Sequence, residues 1–247
     1  MNDVHSIEQA LNHFSLPLGT KLLQAPFAVS ALHKKYTSII FDLGCVLIDW
    51  RPAQLAADLF PDTNAPTIIQ TITKDPLWQE FDRGAVNAAD IAEYAYEVHG
   101  FDKDFTSQII TTLPHHLPAI SGMVNLFMQC KRQGLKVYIL SNISELFFQA
   151  LTKKHDFFKS SDGIIASYTV KMIKPELGIY AYLLQQFSIN PETGLFIDDL
   201  EANIRAGNGL GIDGIVCKDP AEVAQLMTLP NLTQQQTHPF TDAPLLK

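Results

Sequence analysis

Five short runs of β-branched and aromatic residues, each separated from the next by helical patterning, constrain this chain more than any other feature. The runs are Ser38-Ile39-Ile40-Phe41, Lys136-Val137-Tyr138-Ile139-Leu140, Gly163-Ile164-Ile165-Ala166, Gly194-Leu195-Phe196-Ile197 and Gly214-Ile215-Val216-Cys217. Apolar runs of this length, without alternation, belong to strands buried on both faces. Between the later runs lie amphipathic stretches from Ile120 to Gln133, Ser144 to His155, Pro175 to Phe187 and Leu200 to Asn208. Strands that alternate with helices imply βαβ units, hence an α/β fold with a Rossmann-like parallel sheet covered on both sides.

The first and second runs are too far apart for one crossover. The intervening segment has its own helical patterns, at Ala53 to Phe60, Ala65 to Ile72, Ala88 to His99 and Lys103 to Thr112. Residues 51–118 are therefore expected to form an inserted helical cap, with the α/β core made of residues 37–50 and 119–229. Residues 1–36 read as an N-terminal extension with one short helix from Ser6 to Phe14. Asp3 and Glu8 and the interrupted apolar stretch make it unlike an export signal. Residues 230–247, with Gln234-Gln235-Gln236 and three prolines, read as a flexible tail.

A formal net charge of −8 over 247 residues argues against a nucleic-acid or anionic-membrane surface. No run approaches a membrane span. Cys45, Cys130 and Cys217 show no paired spacing, which points away from a disulfide framework or a zinc site and towards a cytoplasmic location. Oligomeric state is not legible.

Ligands of open parallel sheets bind outside the carboxyl ends of the strands. Here the first run ends at Asp42, the second at Ser141-Asn142 and the fourth at Asp198-Asp199, while Lys174-Pro175 follows the third. Singly, each has an ordinary reading as a turn former, a helix cap or a solvated charge. The adjacent acidic pair is harder to explain, because two carboxylates at a buried strand end repel unless a cation holds them.

Phe41-Asp42-Leu43-Gly44-Cys45-Val46-Leu47, Ser141-Asn142, Lys174-Pro175 and Asp198-Asp199-Leu200-Glu201-Ala202-Asn203 together resemble the four motifs of haloacid dehalogenase-like hydrolases. Within the insertion, Phe81-Asp82-Arg83-Gly84 resembles a segment of many caps in that family. Gly44 and Leu210-Gly211-Ile212 resemble the subgroup of sugar-phosphate phosphatases such as bacterial alpha-D-glucose-1-phosphate phosphatase. The resemblance implies a magnesium-dependent phosphatase of a small phosphate ester, a sugar phosphate among the candidates, acting through an aspartyl-phosphate intermediate.

In that scheme Asp42 is the nucleophile. Mg2+ is held by Asp42, the Gly44 carbonyl and Asp199, with Asp198 and Asn203 as direct or water-mediated support. The Ser141 hydroxyl, the Asn142 backbone N–H and Lys174 bind the phosphoryl oxygens, and Lys174 also offsets charge. The family's usual second aspartate, two residues after the nucleophile, is replaced by Gly44. A cap residue (Glu80, Asp82 or His99) then supplies the acid, or the substrate has a leaving group that needs little protonation. The rival readings are a metal-independent 2-haloacid dehalogenase and a catalytically inactive binding protein on the same scaffold.

Two further patterns carry less. Gly209-Leu210-Gly211-Ile212-Asp213-Gly214 matches a dinucleotide fingerprint but precedes a strand instead of following one. His115-His116 are sequence neighbours in a proline-bounded loop and are poorly placed to share a metal.

Overall fold

The computed structural model describes residues 35–228. The expected N-terminal helix and the expected tail lie outside the described residues. Five parallel strands form one sheet in the order β3-β2-β1-β4-β5: β1 Ser38–Phe41, β2 Lys136–Ser141, β3 Gly163–Ala166, β4 Gly194–Asp198 and β5 Asp213–Val216. The chain runs outward from β1 through β2 to β3, then crosses to the other side of β1 for β4 and β5. The topological switch point therefore lies between β1 and β4, where ligand crevices form in such sheets.

Period-two alternation divides the strand residues between two cores. Ile39, Phe41, Val137, Ile139, Leu195 and Ile197 join the cluster that holds α6 (Ser121–Arg132), α7 (Glu145–Lys154) and α11 (Pro220–Thr228). Ile40, Tyr138, Leu140 and Phe196 join the cluster under α9 (Leu177–Gln186) and α10 (Glu201–Gly209). In α6 the buried set Met123, Leu126, Phe127 and Cys130 follows the i, i+3, i+4, i+7 spacing of one helix face.

The insertion holds α1 (Pro52–Leu59), α2 (Ala65–Ile72), α3 (Pro76–Arg83), α4 (Ala88–His99) and α5 (Lys103–Thr112), then a short 3-10 turn over Leu113–His115. The buried side of α2, Ala65, Ile68, Ile69 and Ile72, again has helical spacing and packs in the same cluster as β1. The insertion leaves and re-enters through a small antiparallel contact. The Asp49 N–H donates to the Pro118 carbonyl at 2.9 Å and the Ile120 N–H to the Leu47 carbonyl at 2.9 Å.

Expected and observed elements agree to within one or two residues at most ends. Three helices go beyond the sequence expectation: α3, α8 (Ser167–Val170) and α11. The eight residues of α3 show no repeat of the apolar spacing. End signals define it instead: the Asp75 side chain accepts from the Leu77 N–H at 2.9 Å, Pro76 opens the first turn, and Gly84 closes it at φ 73°.

Candidate active site

Asp42 directly follows the central strand. Its N–H donates to the Ile197 carbonyl at 2.9 Å, which continues the β1–β4 ladder and sets Asp42 level with Asp198. Oxygens of Asp42, Asp198 and Asp199 lie within 4.8 Å of one another, and Asp42 and Asp198 are buried. Burial drives the Asp42 carboxyl above the ordinary aspartate range; Lys174 opposes this, and the charges of Asp198 and Asp199 add to it. Asp199, half-buried, is raised by burial and by Asp198.

Lys174 reaches this cluster from the loop between α8 and α9. Its Nζ is 2.7 Å from Asp42 Oδ1 and 2.6 Å from Asp198 Oδ2. Burial disfavours the ammonium, but the two carboxylates prevail and hold its pKa above the usual lysine value. The loop is fixed by Asn142, whose Oδ1 accepts the Lys174 N–H at 2.7 Å while its Nδ2 donates to the Lys174 carbonyl at 2.9 Å. Asp198 is saturated: besides Lys174 it accepts from the Leu200 N–H at 2.8 Å and from Asn203 Nδ2 at 2.9 and 3.1 Å. Asp198 and Asn203 thus form a support beneath the site, whereas Asp42 and Asp199 keep oxygens available to a cation. Gly44 lies beside them and also lines the cavity.

Above the strand ends is a cavity of about 290 Å3. Its floor is polar: Asp42, Ser141, Asn142, Lys174, Asp199 and Asn203 all line it. Its wall is apolar, with Trp50, Trp78, Leu117, Ile143, Phe147 and Leu151. The aromatic part is close-packed, with ring centroids 5.7 Å apart for Trp50–Phe147 and 5.9 Å for Trp78–Phe147. Because Phe147 belongs to α7 and Trp78 to α3, the wall joins the core to the insertion.

Of the three acid candidates in the insertion, Asp82 alone lines the cavity. Glu80 pairs with Arg83 at the surface (3.3 Å), and His99 stands 3.7 Å from Asp75, packed beside Tyr94 and Phe101. The remaining sequence patterns stay outside the site. His115 and His116 join no metal-competent group among the described residues, and the run from Gly209 to Gly214 leads from α10 into β5. The Cys45 thiol is pushed up to about 12 by burial and nearby carboxylates, an inert state.

Sequence reasoning missed the contacts that tie the insertion to the Lys174 loop. Arg83 makes a two-pronged pair with Glu176, at 3.0 and 2.7 Å, and also donates to the Lys171 carbonyl at 3.2 Å. The Ser167 hydroxyl donates to the Asp82 carbonyl at 2.5 Å and accepts the Ile143 N–H at 2.8 Å. The insertion and this loop are over eighty residues apart in sequence, and no local pattern signals their contacts.

The chain matches the haloacid dehalogenase-like hydrolase family over residues 37–211. It is 27% identical over 184 residues to the sesquiterpene phosphatase astK of Aspergillus oryzae, an alignment covering 74% of this chain and 91% of that protein. A haloacid dehalogenase family enzyme from Bacteroides thetaiotaomicron, solved with magnesium and inorganic phosphate, superposes with a TM-score of 0.56 at 22% identity, covering 72% of this chain and 92% of that one. L-2-haloacid dehalogenase from Xanthobacter autotrophicus superposes with a TM-score of 0.58 at 18% identity, covering 72% and 76%. No helix among the described residues is long and apolar enough to cross a membrane.

Proposed function

The chain belongs to the haloacid dehalogenase-like hydrolases, and on that premise we propose that it is a magnesium-dependent phosphatase of a small phosphorylated metabolite. The observation that carries this reading is the juxtaposition of the Asp42 carboxylate, the Lys174 ammonium and the half-buried Asp199 carboxylate on one cavity floor. A nucleophilic carboxylate, a fixed cation and a second acidic oxygen donor are what aspartyl-phosphate chemistry needs. The same set counts against a metal-free dehalogenase, because a carboxylate substrate would meet uncompensated negative charge.

The donor set fits magnesium, a hard cation that takes carboxylate and carbonyl oxygens. Asp42, the Gly44 carbonyl and Asp199 would hold it, with Asp198 and Asn203 orienting them from below. Bound there, the ion would offset the repulsion between the carboxylate and the phosphate. Lys174, the Ser141 hydroxyl and the Asn142 N–H bind the phosphoryl oxygens. The Asn142 side chain acts in addition through its paired hydrogen bonds, which keep the Lys174 ammonium on target. Residues 51–118 form a lid whose entry and exit are held by the Asp49–Pro118 and Leu47–Ile120 hydrogen bonds, with Arg83–Glu176 as its latch.

For the substrate, the cavity wall supports a phosphate ester of an apolar alcohol over a sugar phosphate. A sugar has several hydroxyls to satisfy, whereas Trp50, Trp78, Phe147, Leu117 and Leu151 offer ring faces and aliphatic edges. The similarity to a sesquiterpene phosphatase agrees with this. The test is a panel of isoprenyl, aryl, alkyl and sugar phosphates with and without magnesium, using Asp42→Asn as control. Turnover of the apolar esters that requires both magnesium and Asp42 is expected. Normal turnover by Asp42→Asn removes the mechanism; preference for sugar phosphates removes the substrate class.

A further inference from the structure

We infer that Asp82, on the inserted helix α3, is the general acid and base of the reaction, taking the place of the carboxyl that Gly44 lacks. The inference rests on the phosphatase reading above and adds a catalytic residue to it. Among the described residues, five with titratable side chains line the cavity: Asp42, Cys45, Asp82, Lys174 and Asp199. Asp42 and Asp199 stand on the floor as nucleophile and cation ligand. Lys174 is committed to two carboxylates, and the Cys45 thiol holds its proton too tightly to exchange it. That leaves Asp82, which comes from the insertion and not from the strand ends, where the leaving group's oxygen has to be met.

Its surroundings suit that role. The backbone of Asp82 is pinned through its carbonyl to Ser167, which also binds Ile143, so the residue is held against the loop after β2. The backbone N–H of Ser144, just before α7, favours the charged form of its carboxyl. Nearby charges are engaged elsewhere: Arg83 with Glu176 and Lys171 with the Gly84 carbonyl. Among the described residues, Asp42 is the charged group that acts on Asp82, and it favours the protonated form. Burial, reinforced by Asp42 and opposed by the Ser144 N–H, pushes the Asp82 carboxyl up to about 7. A carboxyl in that range is protonated often enough to give a proton and basic enough to take one back.

The steps balance. As an Asp42 oxygen bonds to phosphorus, the bond from phosphorus to the ester oxygen breaks; its electron pair stays on that oxygen, which takes the Asp82 proton and departs as the alcohol. In the second half, the Asp82 carboxylate takes a proton from water as the water oxygen bonds to phosphorus. The bond to Asp42 then breaks, leaving its carboxylate free, and Asp82 is again an acid.

Asp82→Asn is the discriminating variant, because it keeps the size and polarity of the side chain while no transferable proton remains. Rates are measured for wild type and variant with 4-nitrophenyl phosphate, phenyl phosphate and an alkyl phosphate, together with the pH profile of kcat/KM. The variant is expected to lose about 10²–10⁴-fold on the alkyl ester, less than about tenfold on the nitrophenyl ester, and the basic limb of the profile. Equal losses across the series overturn the role and make Asp82 structural. A steep dependence on leaving-group acidity in the wild type overturns it too, whether or not the variant folds. A wild type inert to every ester with magnesium overturns the phosphatase reading itself, an outcome distinct from a failure of Asp82 alone.

Discussion

Lys174 Nζ lies 2.7 Å from Asp42 Oδ1, and only 2% of the lysine side chain is open to solvent. A single buried ammonium therefore compensates two buried carboxylates, since Asp198 is its other partner at 2.6 Å. Replacing it with methionine keeps the volume and removes the charge. Breaking a buried pair by deleting one partner costs about 3–5 kcal/mol. Lys174→Met is thus expected to lower the thermal midpoint sharply and kcat/KM by at least about 100-fold. Without the ammonium that opposes its rise, the Asp42 carboxyl holds its proton more tightly in the fold than in the unfolded chain. Stability arising from such raised values is lost as pH rises, so the variant's deficit grows from about pH 5 to about pH 8. Denaturation at the two pH values measures it; a pH-independent deficit with near-normal turnover would return Lys174 to a structural role.

Asp198 is paired with Lys174, whereas Asp199 forms no salt bridge among the described residues and feels Lys174 and Lys218 only as weaker, opposing charges. Burial and the neighbouring charge of Asp198 raise its carboxyl, so in the absence of metal it weakens the fold at neutral pH. Asp199→Asn is expected to raise the thermal midpoint in chelator while abolishing the rise that magnesium gives the wild type. Thermal melts across a magnesium titration compare the two proteins without recourse to activity. A variant that keeps the full magnesium-dependent rise excludes Asp199 as a ligand.

Much of this arrangement was legible because a parallel sheet collects its functional residues at one edge. Once Ser38–Phe41 and Gly194–Asp198 are recognised as neighbouring buried strands, Asp42 and Asp198-Asp199 must meet. Helices with repeated apolar spacing, such as Met123, Leu126, Phe127 and Cys130, were equally plain. The eight-residue α3 was not, and the choice among Glu80, Asp82 and His99 depended on it. Residues two apart on a helix point to different sides, so once α3 exists Glu80 and Asp82 cannot share a role. Which of them faces the cavity is decided by tertiary contacts, namely Ser167 on the Asp82 carbonyl and Glu176 on Arg83. The function of the Asn142 side chain was hidden for the same reason, since its partner is thirty-two residues away. The apolar wall on which the proposed preference for apolar esters rests was hidden too, because Trp50, Leu117 and Phe147 come together only in the fold.

A raised Asp82 carboxyl has a consequence for stability apart from catalysis. Its value rises from the ordinary 3.8 to about 7 on folding, so the folded protein binds a proton that the unfolded chain releases. The associated stability is fully present below about pH 4 and is lost progressively until about pH 7. Asp82→Asn removes this dependence while keeping the size and polarity of the side chain. The stability of the variant relative to wild type is therefore expected to increase between about pH 4 and pH 7 and to level off above it, by a few kcal/mol at most for a shift of about three units. Chemical denaturation at three pH values measures the trend. Parallel curves for the two proteins would place the Asp82 carboxyl in its ordinary range.

Gly44 gives the strongest test of how the proton is supplied. A Cβ built there would meet nothing nearer than Trp50, at 3.8 Å, and Gly44 has no left-handed backbone to forbid a side chain. Gly44→Asp is therefore tolerable at its first carbon, where Trp50 stands at ordinary van der Waals distance. The substitution leaves the Gly44 carbonyl in place and adds a carboxyl two residues after Asp42. Introduced alone, it is expected to change little on alkyl esters, because Asp82 already serves them. Introduced into Asp82→Asn, it is expected to restore at least about tenfold of the lost rate on the alkyl ester and little on the nitrophenyl ester, whose leaving group needs less protonation. The two substitutions would then be strongly non-additive, which is the signature of two groups serving the same step. Additive effects across the ester series would mean that position 44 and Asp82 act on different steps, and the assignment of the acid to α3 would fall.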